Sequence, residues 1–138
     1  MNKFNCTGAI YATGRRKTAS AKVWLKPGSG KVFIKRGAEY VSAEEMFPMP
    51  ITRACIFAPF KIVDNNDFDI ICAAYGGGST GQAQAICHGI SRALDKYNNE
   101  TYHSLLKGAG LLTRDSRQVQ EKMPGGKKAR ARKQRSKR

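Results

Sequence analysis

The residues with the clearest capacity for chemistry are a glycine turn, a knot of three cations and two histidines. The turn is Gly76-Gly77-Gly78-Ser79-Thr80-Gly81. Residues without Cβ suit tight or left-handed backbone, and a helix beginning there would turn its unpaired N–H groups and positive dipole end toward an anion. Gly76-x-Gly78-x-x-Gly81 fits the dinucleotide spacing, but that reading needs an acidic residue closing a second strand about 20 residues on, and Asp95 falls within the helix itself. Gly76 to Gly81 also has the Walker A glycine spacing. Gln82 and Ala83, however, stand where Lys and Ser/Thr are required. The remaining readings are a phosphate of some other polyanion, or glycines that only make the turn. The cation knot is Gly14-Arg15-Arg16-Lys17-Thr18, compact enough for phosphate contact. His88 and His103 have no Ser, Asp or Cys partner that spacing can place beside them, so they read as solvent- or RNA-facing imidazoles rather than catalytic ones.

The elements that position the turn are a strand before it and a helix after it. Phe68 to Tyr75 is a short, mostly apolar run of strand length. Ser79 or Thr80 is the expected helix cap. Ala83, Ile86, Cys87, Ile90, Ala93, Leu94 and Tyr97 then form one apolar stripe, with Gln82, Gln84, His88, Arg92, Asp95 and Lys96 off it. This helix should pack on a sheet and leave its glycine end exposed.

Upstream, Ala21, Val23 and Leu25 alternate with Lys22, Trp24 and Lys26, and Val32 and Ile34 alternate with Lys31, Phe33 and Lys35. Pro27-Gly28-Ser29-Gly30 between them predicts a hairpin with one apolar and one lysine-bearing face. Glu39 to Phe47 has helical composition. Ile51 to Phe57 predicts a short helix with Pro50 in its first turn, punctuated by Pro59. Asp64 to Asp67 reads as a polar turn, and Glu100 to Lys107 as a last helix ended by Gly108-Ala109-Gly110.

The 138 residues suffice for one domain with a core, and the net charge is +15. The charge is segregated. Residues 1–36 hold nine Lys/Arg and no acid, 37–113 five against eight, and 114–138 eleven against two. A near-neutral body with two basic ends favours a polyanion, most often nucleic acid. From Arg114 the apolar pattern stops, and Lys127 to Arg138 carries eight cations in twelve residues. Such a stretch buries no core; paired with the basic N-terminal segment, it fits threading into folded RNA. The division expected is a body over 1–113 and an extended basic tail over 114–138. Cys6, Cys55, Cys72 and Cys87 show no C-x-x-C spacing, which argues against disulfide or zinc roles. No apolar run is long enough to span a membrane, and the first residues read as neither signal peptide nor presequence.

Gly14-Arg15-Arg16-Lys17, Lys26-Pro27-Gly28-Ser29-Gly30-Lys31, Gly76 to Ala83, His88 to Leu94, Thr113-Arg114-Asp115-Ser116-Arg117 and terminal Ser136-Lys137-Arg138 occur in an order and spacing that together resemble the bacterial-type ninth protein of the small ribosomal subunit. The likeness runs from about Tyr11 to Arg138. It implies an α/β fold of the α+β two-layer sandwich kind: a mainly four-stranded sheet, helices on one face, a left-handed βαβ crossover and an extended basic C-terminal tail. It implies a non-enzymatic constituent of the small-subunit head with no cofactor, no metal and no small-molecule substrate. Its partners would be ribosomal RNA, neighbouring head proteins and peptidyl-site tRNA. The positions implied for ribosomal RNA are Arg15, Arg16, Lys17, Lys22, Lys31, Gly76, Gly77, Gly78, Gly81, Gln82, His88, Arg92, Arg114, Arg117, Lys127, Lys128, Arg130 and Arg132. Ser136, Lys137 and Arg138 are implied for tRNA.

The sequence departs from the family pattern at Gln120 to Gly126, where a dense basic series is usual, and at Lys133 and Arg135. These departures lean the expected setting slightly toward a mitochondrial ribosome over a bacterial one. The competing readings are a free-standing RNA-binding protein and, in another class, a nucleotide-using enzyme built on the glycine loop.

Overall fold

The structure, a computed structural model, describes residues 8–131. Its centre is one five-stranded sheet in the order β1-β2-β5-β3-β4. The strands are β1 (Ile10–Arg16), β2 (Ala19–Pro27), β3 (Val32–Arg36), β4 (Glu39–Ser42) and β5 (Phe68–Tyr75). The helices are α1 (Ala43–Met46), α2 (Pro50–Val63), α3 (Ser79–Tyr97) and α4 (Asn99–Gly108).

β5 takes the middle of the sheet, antiparallel to β2 and parallel to β3. Its composition explains the place: from Phe68 to Ala73 only Asp69 escapes burial, as expected of a strand with neighbours on both edges. The predicted β2–β3 hairpin is therefore corrected. The two runs are strands, but β5 lies between them. The Gly28–Lys31 segment is held by β5 itself, through Asp69. Its Oδ1 accepts the N–H groups of Ser29 at 2.9 Å and Lys31 at 3.1 Å. Burial alone would raise the Asp69 pKa, but the N–H groups of Lys31 and Ser29 outweigh it and hold the carboxyl below its usual range.

The strand count is also corrected, from four to five. Glu39–Ser42, expected from its composition to begin a helix, pairs with β3 instead, and the helix starts only after it, where the Ser42 side chain accepts the N–H of Glu45. β1 is the strand that composition hides. Its inward residues, Ala12 and Gly14, are too small to register as an apolar pattern. α2 is longer than predicted and runs straight through Pro59. A proline there deprives the Cys55 carbonyl of its helical N–H. Burial of Thr52, Ile56, Pro59, Phe60 and Val63 along one stripe outweighs the loss.

α3 lies across the inner face of β1, β2 and β5. Ala83, Ile86, Ile90, Ala93 and Leu94 enter a core with Val23, Leu25, Ile34, Ile56 and Ile70, all as the stripe predicts. α3 can approach β1 so closely because Gly14 and Gly89 face each other. A Cβ on Gly14 would collide with the Ala85 carbonyl, and one on Gly89 would come within 2.6 Å of Val23 Cγ2. Leu106 of α4 and the half-buried Leu111 and Leu112 close the far side of the core. From Thr113 to Ala131 the chain has neither helix nor strand. Among the described residues no helix is long and apolar enough to cross a membrane.

Candidate nucleic-acid interface

β1 is an edge strand, and its outward-turned backbone groups need partners. α3 supplies them from side chains spaced by four. Lys96 Nζ donates to the Tyr11 carbonyl at 2.9 Å, and Arg92 Nη1 to the Thr13 carbonyl at 2.7 Å. His88 Nδ1 accepts the Arg15 N–H at 3.4 Å, and one turn earlier Gln84 Oε1 holds not the backbone but the Arg16 side chain, accepting its Nε–H at 2.9 Å. One flank of one helix thus stitches down the whole edge. The signal was present in the sequence as polar residues at 84, 88, 92 and 96, directly beside the apolar stripe.

His88 also reaches the segment after α4. Its Nε2 lies 3.3 Å from the Leu112 carbonyl. With Nδ1 accepting, Nε2 carries the proton, and the ring is neutral. Burial pushes its pKa down; the cations Arg92 and Arg114 push the same way, against the Leu112 carbonyl. A group whose folded pKa is lowered contributes stability in full above its unfolded value, near 6.5, and loses it as pH falls through the folded value. On lowering the pH from about 7.5 to about 5, wild type should lose more melting temperature than His88→Gln, whose amide can still reach Leu112. Parallel curves for the two proteins would show that His88 plays no such part.

Arg16 fastens the start of the C-terminal segment. Besides Gln84, its guanidinium bonds the Arg117 carbonyl at 2.8 Å and Asp115 Oδ2 at 3.0 Å. Arg117 grips the same carboxylate through Nε and Nη2, and these bonds hold the Asp115 carboxyl well below the usual range. Gln82 is similarly occupied, donating its amide to the Gly76 carbonyl at 3.1 Å. His103 accompanies Asp95 at 2.8 Å and joins α4 to α3.

The cations left exposed sit differently. Arg16 pairs with Ala19, so Lys17 and Thr18 form a two-residue hairpin tip, with Lys17 in the left-handed region at φ 52°. This tip abuts the glycine turn. Gly76 and Gly77 both have positive φ, and a Cβ on Gly76 would come within 2.8 Å of the Thr18 carbonyl. The N-cap of α3 is Gly78, which has no side chain, so the expected Ser79 or Thr80 cap is corrected. The first-turn N–H groups therefore open toward solvent beside Lys17. Arg15 is exposed on the same end of the sheet, and Arg114 follows the Leu112 anchor. Among the described residues, no side-chain bond occupies the charged ends of Arg15, Lys17 or Arg114.

Lys22 projects from the outer sheet face. Lys31 lies at the opposite end of β5, roughly 20 Å from the glycine turn at about 3.3 Å per strand residue. Lys127, Lys128 and Arg130 are exposed on the irregular segment. Arg132, Ser136, Lys137 and Arg138 lie outside the described residues. Between β1, α2, α3 and the C-terminal segment is a cavity of about 240 Å³, lined by Arg15, Cys55, Cys87, His88 and Leu111 among others. Cys55 and Cys87 both line it, a proximity no spacing rule suggested. Among the described residues no group of three or more His, Cys, Asp and Glu gathers that could hold a metal.

A model of the ribosomal protein S9/S16 family matches residues 14–138. The chain belongs to the ribosomal protein S9/S16 family. Its relatives include the small ribosomal subunit protein uS9 of Rickettsia felis, 44% identical over 99% of this chain and 82% of that protein. The uS9 of Rickettsia conorii is 48% identical over 95% of this chain and 80% of its own length, and that of Rickettsia africae 45% over 99% and 83%. The resemblance read from the motifs is thereby confirmed. As an S9/S16 member the chain is a structural ribosomal protein and not an enzyme, which disposes of the nucleotide-using alternative. The lean toward a mitochondrial setting gains nothing from these relatives, all of them bacterial. The altered Gln120 to Gly126 segment lies within the matched span.

Proposed function

We propose that this S9/S16 member is a structural constituent of the small ribosomal subunit, working in a bacterial cytoplasm and bound to ribosomal RNA in the subunit head. The body spans 1–113 and carries the family's left-handed βαβ crossover; the tail spans 114–138. The observation that carries the reading is the convergence of Arg15, Lys17, the open N-terminus of α3 and Arg114 at one end of the body. Cations and free N–H groups gathered this way fit the phosphates of a folded RNA. Beyond it, Lys127, Lys128, Arg130 and Arg132 extend the phosphate contacts. Ser136, Lys137 and Arg138 touch peptidyl-site tRNA, and neighbouring head proteins complete the surroundings.

The test separates the exposed cations from the engaged one. Arg15→Ala, Lys17→Ala and Arg114→Ala together should flatten the salt dependence of ribosomal RNA binding by roughly two to three units, at about 0.9 per lost phosphate contact. Arg16→Ala should leave that slope nearly unchanged and lower the melting temperature, because its bonds are internal. A triple variant that binds more weakly with an unaltered slope would place these cations in folding rather than in RNA contact.

A further inference from the structure

The outer face of the sheet has a composition of its own. Register aligns Tyr11, Trp24, Ile71, Phe33 and Ser42 across the five strands, and beside them Thr13, Lys22, Ala73, Lys35 and Tyr40. The two rows are about 6.6 Å apart along the strands. Among the described residues no helix lies on this face, since α3 occupies the other. Yet Ile71 and Ala73 are only 4% and 2% exposed. Their cross-strand neighbours Trp24, Phe33, Lys22 and Lys35 are the groups in position to screen them. The surface is therefore a filled platform rather than a pit. Tyr11 and Tyr40 remain 42% and 51% exposed, and the Tyr11 and Trp24 ring centroids are 5.5 Å apart. The one acid at the margin, Asp69, has its carboxylate engaged with the Ser29 and Lys31 N–H groups.

We propose that this platform binds single-stranded RNA, with bases stacked on Tyr11, Trp24 and Phe33 and phosphates held by Lys22 and Lys35. Rings and lysines interleaved on one open sheet are what unpaired nucleotides require: a π-face for each base and a cation within one strand step for its phosphate. A protein partner fits less well. Lys22 and Lys35 lie between the rings, not at a rim, and a docked protein would strip water from both. The platform adjoins the Arg15, Lys17 and Arg114 cluster, since Arg15 lies two residues beyond Thr13 along the outer side of β1, but its rings and Lys22 and Lys35 are residues that cluster does not use.

Trp24 is the only tryptophan of the chain, so its emission reports this face alone. The full-length protein is titrated with a short single-stranded RNA and with the same sequence as a blunt duplex, binding being followed in parallel by the anisotropy of a labelled strand. The single strand should quench Trp24 in step with binding. The duplex should bind through the cation cluster without quenching. Tyr11→Ala or Phe33→Ala should weaken single-strand binding at least about fivefold. Lys22→Ala with Lys35→Ala should flatten its salt dependence by about 1.4 units. Circular dichroism matching wild type confirms that each variant is folded. Trp24 emission unchanged at saturating single strand would overturn the proposal and leave the cation cluster untouched. Equal quenching by the duplex, or quenching only by other small-subunit proteins, would overturn it as well, the latter making this a protein-docking face.

Discussion

Ile90→Asp should abolish the cooperative unfolding transition. Ile90 is fully buried in the middle of α3, within a core formed by residues of β2, β5 and α2. A carboxylate there has no cation waiting for it, because His88, Arg92 and Lys96 of α3 lie on the flank toward β1 and are engaged there. An unpaired buried carboxyl group costs several kcal/mol, as a desolvated charge or, once protonated, as an unbonded polar group in place of a packed apolar one. That is comparable with the 5–15 kcal/mol total stability of an ordinary domain. The measurement is thermal unfolding followed by circular dichroism. Wild-type melting in the variant would mean that the stripe is not the core.

Gly14→Val is expected to be nearly as damaging, although it adds an apolar residue to a strand. The new side chain would be driven into the Ala85 carbonyl and the Gly89 N–H, both backbone groups of α3 that cannot rotate away. The helix has to lift from β1, which loosens the Gln84, His88, Arg92 and Lys96 bonds along the edge. Overpacking of this kind costs about 3 kcal/mol or more, and a drop in melting temperature of roughly 10 °C follows for a chain of this size. Gly37→Ala is a useful control. It is also strained by its φ of 65°, but it meets no atom within 4 Å and should cost far less. Equal losses for the two would show that the β1–α3 approach is not a tight one.

How far the sequence carried these conclusions depended on whether a signal was local. α3 and β5 were legible because a stripe and an apolar run are written in consecutive residues. The glycine turn between them was legible for the same reason. The place of β5 between β2 and β3 was not, since Pro27-Gly28-Ser29-Gly30 has the composition of a hairpin turn whether or not its strands pair. What decides the matter is Asp69, some 40 residues away in sequence. β1 leaves no apolar pattern in the sequence because Gly14 and Ala12 face the core with almost no side chain. The cations were visible as a set, but their division was not. Arg15, Arg16 and Lys17 look alike in sequence. Only in three dimensions does Arg16 turn inward to Gln84, Asp115 and the Arg117 carbonyl while Lys17 stands at the hairpin tip. His88 and Arg92 likewise serve the edge of β1 with the groups that were expected to face RNA.

The most direct measurement is sedimentation of the tagged, full-length protein from cells, before and after a moderate salt wash of the ribosomal fraction. A structural constituent of the small subunit should travel with that particle in stoichiometric amount and remain through the wash, because many phosphate contacts and a threaded tail must be lost together. Recovery in the free fraction, or salt-labile binding spread over RNA of every kind, would contradict the assignment.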